Sequence, residues 1–302
     1  MKRVVPCLWF NDQAQDAVDF YMTIFNDGQV RHTSFYSEAG KEIHGHEAGD
    51  VLTVDFKIDD QPFTALNGGP QFAITPAISF TVGRRTVQGI DALWEMLSAG
   101  GTVLMPLDAY PFSQRYGWVN DKFGVSWQII LAEDMITTGG ILPALMFTGE
   151  NAGKAEEAMQ FYTSVFRDAS MGESMRYGTG QEPDAEGTIA HGEFTILDQK
   201  LSAMDSAREH DFGFTEGVSL VVTCQDQAEI DEYWDKLSAV PEAEACGWLK
   251  DKYGVSWQIV PSVMNDMMSN GTPEQLELVM AAFMPMKKFD VAELQRAYDQ
   301  SS

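Results

Sequence analysis

Apolar residues in the first part of the chain recur with two different spacings. Residues 4–10 form a nearly continuous apolar run, which predicts a buried strand. Asp12 has the chemistry of a helix cap, and the apolar residues after it follow the 3.6-residue period of a helix. Further runs at residues 30–36, 51–58 and 62–66 predict three strands, so the first module has the order βαβββ.

The same order then begins again. Residues 77–82 predict a strand, and apolar residues from Val87 to Leu97 mark a helix that ends at Gly100-Gly101. Three more strands are predicted near residues 102–105, 118–120 and 127–131. The first half of the chain is therefore predicted to hold two βαβββ modules.

The second half repeats the first. Residues 121–130 return as residues 251–260 with eight identities in ten positions, and Pro6-x-Leu8-x-Phe10 returns as Pro143-x-Leu145-x-Phe147. Matches keep their order while loop lengths differ, as expected of a duplicated domain. We therefore expect four modules, with each half folding as its own eight-stranded unit.

The last residues have no counterpart in the repeat. Thr272-Pro273-Glu274-Gln275 is a capping box with proline at the first helical position, and a second helix is predicted from Val291 to Tyr298. The predicted fold is α+β, with tandem domains at residues 1–135 and 141–265 and C-terminal helices at residues 272–302.

Charge and cysteine content narrow the possible partners. The formal net charge of −25 would repel phosphate backbones and anionic lipid surfaces. We therefore expect neither nucleic acid nor membrane as a partner. The three cysteines are far apart in the sequence, which favours a reducing compartment, and so a cytoplasmic location, over a disulfide framework.

Several segments resemble one known family. These are Ala65-Leu-Asn-Gly-Gly-Pro70, Ile78-Ser-Phe80, residues 247–261 and the tail from Met280 to Tyr298. They resemble the PhnB-like family, which is often labelled "3-demethylubiquinone-9 3-methyltransferase domain". It belongs to the glyoxalase/bleomycin-resistance/dioxygenase, or vicinal oxygen chelate, superfamily. The resemblance covers nearly the whole chain and implies cupped mixed sheets that hold a ligand and often a divalent metal. It also implies pairing of modules through isologous contacts, and so a homodimer.

The positions that the resemblance assigns to metal ligands hold few suitable side chains. The positions inferred in the first half are Pro6, Asp55, Ala77 and Gln128, and those in the second half are Pro143, Glu193, Gly217 and Gln258. Proline, alanine and glycine side chains cannot ligate a metal. We therefore expect no resident cofactor and, at most, weak binding of a divalent metal.

The methyltransferase label has no support in a nucleotide-binding motif. The G-x-G sequence at Gly178-Thr-Gly180 is followed by an acidic, proline-containing segment, so it predicts a connector and not a loop that binds S-adenosylmethionine.

Two histidine patterns are candidates for chemistry. His44-x-His46-Glu47 lies in a glycine-containing loop that could hold a stray cation, although a solvated loop is the simpler interpretation. His191 and Glu193 are two residues apart on a predicted strand, so they share one face and could act as base and orienting carboxylate. A structural histidine remains the alternative.

Aromatic and methionine residues favour a pocket for an apolar or planar organic ligand. The candidate ligand-binding residues are Asp55, Gln128, Trp118, Gln258 and Trp248. Three hypotheses stay open. The protein could bind a small molecule without catalysis, act as an enzyme through His191 and Glu193, or retain one half only as a scaffold.

Overall fold

The computed structural model describes residues 4–38, 41, 45–132 and 140–300. The predicted segments of the first half are confirmed as strands and helices. Their bounds are β1 Val4–Phe10, α1 Ala14–Ile24, β2 Gln29–Phe35, β3 Val51–Ile58, β4 Gln61–Asn67, β5 Ile78–Arg84, α2 Val87–Ser98, β6 Thr102–Tyr110, β7 Ser113–Asn120 and β8 Ser126–Leu131.

Within the described residues, the second half repeats this order with one strand fewer. Its elements are β9 Ile141–Phe147, α3 Ala155–Val165, β10 Ser170–Arg176, β11 Ile189–Ile196, β12 Gln199–Asp205, β13 Val218–Cys224, α4 Gln227–Leu237, β14 Trp248–Lys250 and β15 Ser256–Pro261. Where the first half has β6, the described chain of the second half has a short 3-10 turn at Pro241–Ala243. The fourth module is therefore shorter than predicted.

The two halves share both sheets. The first sheet has the strand order β14-β15-β13-β1-β4-β3-β2, and the second has the order β10-β11-β12-β9-β5-β8-β7-β6. β1 pairs antiparallel with β13 of the other half, and β5 pairs antiparallel with β9. The expectation that each half closes as its own eight-stranded unit is therefore wrong, because each sheet takes one module from each half.

Each sheet buries one face against two helices. α1 and α4 pack on the first sheet, and α2 and α3 pack on the second. Strand residues on these faces, such as Val54, Phe56 and Ile58, are almost fully buried in the main hydrophobic core. The opposite, concave face of each sheet is called here the first cup and the second cup.

The helix that opens each half is capped by a distant side chain. The backbone N–H of Ala14 donates to Asn67 Oδ1 at 2.8 Å, and that of Ala155 donates to Asp205 Oδ1 at 3.0 Å. The predicted cap, Asp12, is not at the N-cap position, which is occupied by Gln13. The capping group therefore comes from the end of a neighbouring strand, which no local pattern reveals.

The strongest sequence repeat forms a buried hydrogen-bond network. Asp121 accepts hydrogen bonds from the Tyr21 hydroxyl at 2.8 Å, from Trp127 Nε1 at 2.9 Å and from two backbone N–H groups. The second half repeats it around Asp251, which accepts from Tyr162 and Trp257. Because a buried carboxylate needs such partners, the repeated motif is explained by the fold.

The C-terminal tail forms three helices, α5 Ser262–Asn270, α6 Pro273–Phe283 and α7 Val291–Asp299. The capping box at Thr272 and Gln275 is confirmed, whereas α5 was not predicted. A separate apolar cluster in this tail packs against Val260 on the concave face of β15. The backbone N–H groups of Cys246 and Gly247 also donate to carbonyls of the segment between α6 and α7. The tail therefore forms a wall of the first cup.

Two findings bear on partners. The module pairing that suggested a homodimer occurs within one chain, so a dimer would need a different surface. No helix in the described ranges is long and apolar enough to cross a membrane.

Candidate functional site

A row of polar side chains crosses the whole first sheet on its concave face. Strand register places one such residue on each of the seven strands, at directly opposite positions. From one edge to the other they are His32, Asp55, Thr64, Cys7, Ser219, Ser256 and Lys250. The register therefore gives the first cup a polar floor that spans both halves of the chain.

Hydrogen bonds hold part of this floor in place. The Thr64 hydroxyl donates to Asp55 Oδ1 at 2.6 Å, and Gln258 Nε2 donates to Ser219 Oγ at 2.9 Å. Ser256 Oγ is buried and finds no hydrogen-bond partner among the described residues. An unpartnered hydroxyl at this depth is a local cost to the stability of the fold.

The thiol of Cys7 lies at the centre of the floor. Burial is the main cause that raises the pKa of Cys7 to about 12, and the nearby Asp55 carboxylate raises it further. Hydrogen bonds from Gln258 and Ser219 only partly oppose this shift. Because the thiolate is the nucleophile, Cys7 is a neutral, unreactive thiol at pH 7.

Two indoles meet above the floor of the first cup. Trp9 on β1 and Trp248 on β14 have ring centroids 5.8 Å apart in an edge-to-face arrangement. Trp9 Nε1 donates to the Gly69 carbonyl at 2.8 Å. A Cβ at position 68 would lie 2.3 Å from the Trp9 ring, so Gly68 is required for the indole to lie there. Both indoles are half-buried, which leaves part of each ring accessible.

The second cup carries a related row, but its centre is filled. The register aligns Glu193, Ser202, Ala144 and Ser79. The Tyr116 hydroxyl donates to Gln128 Oε1 at 2.8 Å, and Gln128 Nε2 donates to Ser79 Oγ at 2.8 Å.

Trp118 also takes part in closing the second cup. It is buried, and its Nε1 donates to Ser126 Oγ at 2.8 Å. Trp118 and Tyr116 pack with Met146 in an apolar cluster.

The two cups differ at one aligned residue position and in the length of one loop. Gly117 aligns with Gly247 in the repeat, so Tyr116 of the second cup corresponds to Cys246 of the first. The residues between Gly101 and Gly117 that have no counterpart in the second half form the long β6–β7 hairpin beside the second cup. On the concave face of the first sheet Thr53, Asp55 and Gln258 are half-buried, while Cys7, Ser219 and Ser256 are buried; in the second cup Gln128, Tyr116 and Trp118 are buried, while His191 and Glu193 are half-buried.

His191 and Glu193 lie on the same face of β11, and the shortest distance between His191 Nε2 and Glu193 Oε1 is 3.9 Å. This separation is longer than a hydrogen bond. The closer partner of Glu193 is Lys200, whose Nζ lies 2.6 Å from Glu193 Oε2. Burial is the main cause that lowers the pKa of His191, so its imidazole is neutral at pH 7.

The strand pairing also changes which candidate residues meet. Asp55, Gln258 and Trp248 belong to the first cup, whereas Gln128, Trp118 and the His191/Glu193 pair belong to the second. The sequence analysis grouped Asp55 with Gln128 and Glu193 with Gln258, and that grouping is wrong because each cup combines modules from both halves.

Four residues of the first cup were missed by sequence reasoning. They are Cys7, Thr64, Ser219 and Ser256. The assumed first-strand position, Pro6, is paired with Leu220, which lies on the helix-facing side. The alternation of buried residues on β1, with Val4, Leu8 and Phe10 in the core, was the signal that pointed to Cys7.

The corrected positions fit a metal poorly. The first cup offers a neutral thiol, three hydroxyls, one amide and one carboxylate, and the second has Ala144 where the first has the thiol. No group of three or more His, Cys, Asp or Glu residues converges within the described ranges. These donors lack the nitrogen, thiolate or multiple carboxylate ligands that transition metals prefer, so we derive no chemistry through a metal.

The remaining motifs lie outside the cups or outside the described residues. His44 falls outside the described residues, while His46 stacks on Tyr36 with ring centroids 4.3 Å apart. Gly178-Thr-Gly180 joins β10 to β11, so its prediction as a connector is confirmed. A nucleotide-binding loop would join a strand to a helix.

The architecture is that of the glyoxalase-like class. The crystal structure of glyoxalase I from Zea mays matches 87% of this chain and 93% of its own, with a TM-score of 0.55 and 11% sequence identity. This likeness establishes the fold, four modules in two cupped mixed sheets, as the sequence predicted.

The sequence also places the chain in a family. Residues 2–130 and 139–260 each match the family described as 3-demethylubiquinone-9 3-methyltransferase. The chain belongs to this family and carries its domain twice, which confirms the resemblance. A putative 3-demethylubiquinone-9 3-methyltransferase, PhnB protein, from Bacillus cereus is 35% identical over 42% of this chain and 98% of its own, with a TM-score of 0.39. None of the curated proteins compared with the chain matches it.

Proposed function

We propose that the first cup binds a small, planar and largely apolar organic molecule without transforming it. The observation that carries this proposal is the pair of half-buried indoles, Trp9 and Trp248, which meet on the concave face of the first sheet with ring centroids 5.8 Å apart. Apolar and aromatic walls with a few fixed polar groups are typical of small-molecule sites. The ligand would lie against the indoles, with its polar atoms toward the half-buried Gln258.

The chemistry of the floor favours binding over catalysis. Cys7 is a neutral thiol because burial raises its pKa to about 12, and the Asp55 carboxylate accepts a hydrogen bond from Thr64. A nucleophile or general base needs an activating partner or a pKa near the working pH. Cys7 does not meet that requirement.

Calorimetry with 1-methylnaphthalene tests the proposal, because this probe is planar, apolar and free of ionisable groups. We expect saturable heat at one site per chain. Trp248→Ala should weaken binding about tenfold, since removing an aromatic wall costs on the order of 1–2 kcal/mol.

Trp118→Ala is the matched control because Trp118 occupies the aligned position in the second cup. It should leave the affinity unchanged once circular dichroism shows that the variant is folded. Absence of saturable heat with the unsubstituted protein, or equal losses in the two variants, would refute the proposal.

An enzymatic role of the second cup is the alternative, and the neutral imidazole of His191 near Glu193 is the observation that favours it. For this role Glu193 would have to leave its ion pair with Lys200 and form a hydrogen bond with His191. Lys200→Met should then lower the 3.9 Å separation and raise the pKa of His191 in an NMR titration. An unchanged titration would remove the basis for this role.

A further inference from the structure

The carboxylate of Asp55 has an unusual electrostatic environment in the first cup. Asp55 is half-buried, and its described hydrogen-bond donor is the neutral hydroxyl of Thr64. Among the described residues, no Lys, Arg or His nitrogen forms an ion pair with it. The aligned residue of the second cup, Glu193, is instead neutralised by Lys200 at 2.6 Å.

The repeat explains why Asp55 lacks such a partner. Gln61 aligns with Gln199, so the residue that follows, Pro62, stands where the second half has Lys200. Lys57 lies on the same face of β3 as Asp55, but it forms an ion pair with Asp60, with 2.7 Å between Lys57 Nζ and Asp60 Oδ1. The substitution of proline for lysine therefore leaves one negative charge uncompensated inside the first cup.

The other charged or titratable groups on this face do not offset that charge. Lys250 at the far end of the polar row pairs with Glu216 at 2.8 Å. His32, the register neighbour of Asp55, lies on the exposed edge strand. The chain as a whole carries a formal net charge of −25, which adds a field of the same sign.

We propose that the ligand of the first cup is a planar aromatic cation. The inference rests on the proposed function of this cup and specifies the class of its ligand. The register aligns Trp9 with Thr53, the concave position next to Asp55 on β3. A cation bound between them is attracted both by the carboxylate of Asp55 and by the indole of Trp9, because the indole quadrupole favours positive charge. A neutral planar molecule gains only the apolar contact, and a planar anion is repelled.

Two probes of the same shape separate charge from shape. 1-Methylquinolinium is a permanent cation, and 1-methylnaphthalene is its neutral isostere. Calorimetry at pH 7.5 should show that the cation binds at least about tenfold more tightly, as expected for a cation–π contact combined with a partly desolvated charge pair. Asp55→Asn should reduce this preference to about twofold or less.

Glu193→Gln is the matched control, since it removes the same charge from the aligned position of the other cup. It should preserve the preference for the cation. Equal affinities for the two probes would overturn this inference and leave the proposed function intact, as would a preference that survives in Asp55→Asn. Failure of both probes to bind would refute the proposed function itself.

Discussion

The indole of Trp9 lies against the indole of Trp248, with ring centroids 5.8 Å apart, although the two residues belong to different copies of the repeat. This contact exists because β1 of the first copy pairs with β13 of the second. The site is thus a product of the duplication as a whole, and neither copy alone contains its two walls.

The shared sheets predict how separated halves behave. Residues 1–138 and 139–302, produced as two polypeptides, should associate into a 1:1 complex, because neither contains all the strands of either sheet. Size-exclusion chromatography with light scattering measures the mass of the mixture. If each half remained a stable monomer in the mixture, the strand pairing between the two copies of the repeat would not be needed for folding.

The buried networks around Asp121 and Asp251 should make large contributions to stability. Asp121→Asn places an amide N–H₂ group against the Tyr21 or Trp127 donors, which should lower the free energy of unfolding by about 2–4 kcal/mol. Asp251→Asn should have a similar effect. Urea denaturation measures both, with the exposed Asp16→Asn as control; losses below about 0.5 kcal/mol would contradict the assignment.

The sequence predicts the modules of this fold better than it predicts their pairing. Helical and strand periods locate α1, α2 and most strands because each element has one strongly apolar face. The pairing of β1 is different, since β5 and β13 are both apolar strands from the second module of their halves and present similar edges. Local patterns cannot choose between them, because the choice depends on how the whole chain closes.

The site was only partly predictable for a similar reason. The candidate residues Asp55, Gln258 and Trp248 share one cup, but the strand position expected at Pro6 is held by Cys7, because Pro6 lies on the opposite face of β1. A shift of one residue moves every side chain of a strand to the opposite face. The contact between Trp9 and Gly68 depends on a space that no periodic pattern reveals.

The state of the Cys7 thiol can be tested by its reactivity. Burial raises the pKa of Cys7 to about 12, so at pH 8 only about one thiol in ten thousand is ionised. Iodoacetamide should therefore leave Cys7 unmodified in the folded protein at pH 8 and modify it after unfolding in urea. Peptide mass spectrometry identifies the labelled site. Rapid labelling of Cys7 in the folded state would show a thiolate and would reopen nucleophilic chemistry in this cup.

The raised pKa of Cys7 also has a consequence for stability at high pH. From pH 9, the ordinary value for a thiol, to about pH 12, the unfolded chain releases a proton that the folded chain retains. The free energy of unfolding therefore falls as pH rises through this window, by up to about 1.4 kcal/mol per pH unit from this group. Cys7→Ala should lose less stability between pH 8 and pH 10 than the unsubstituted protein. Equal losses would contradict a raised pKa.

The donor sets of the two cups predict weak binding of metal. The purified chain should carry well under one equivalent of zinc, nickel, iron or manganese, because hydroxyl and amide groups are poor ligands for these ions. Elemental analysis after purification without chelators measures this. Stoichiometric metal that disappears in a His191→Ala, Glu193→Ala double variant would restore a metal-dependent enzyme. Loss of metal on removing His44 and His46 would instead indicate an adventitious site.

The inequivalence of the cups predicts that a single substitution can create a second binding site. Tyr116 lies in the second cup and donates a hydrogen bond to Gln128, whereas the thiol of the aligned Cys246 lies against the Phe283 and Met284 carbonyls of the tail. Tyr116→Ala should open an apolar cavity beside Met146, and such cavities bind small aromatic molecules. The number of 1-methylnaphthalene molecules bound per chain should rise from about one to about two in calorimetry.

The matched control for this cavity is Tyr110→Ala, which removes another ring of the same hairpin that is less deeply buried and does not contact Gln128. It should leave the stoichiometry unchanged. Tyr116→Ala should also destabilise the chain by about 3 kcal/mol, the usual cost of truncating a buried aromatic residue, and ligand should recover part of this loss. A folded Tyr116→Ala protein that still binds one molecule would mean that another group closes the second cup, and that Tyr116 is not the cause of its inequivalence.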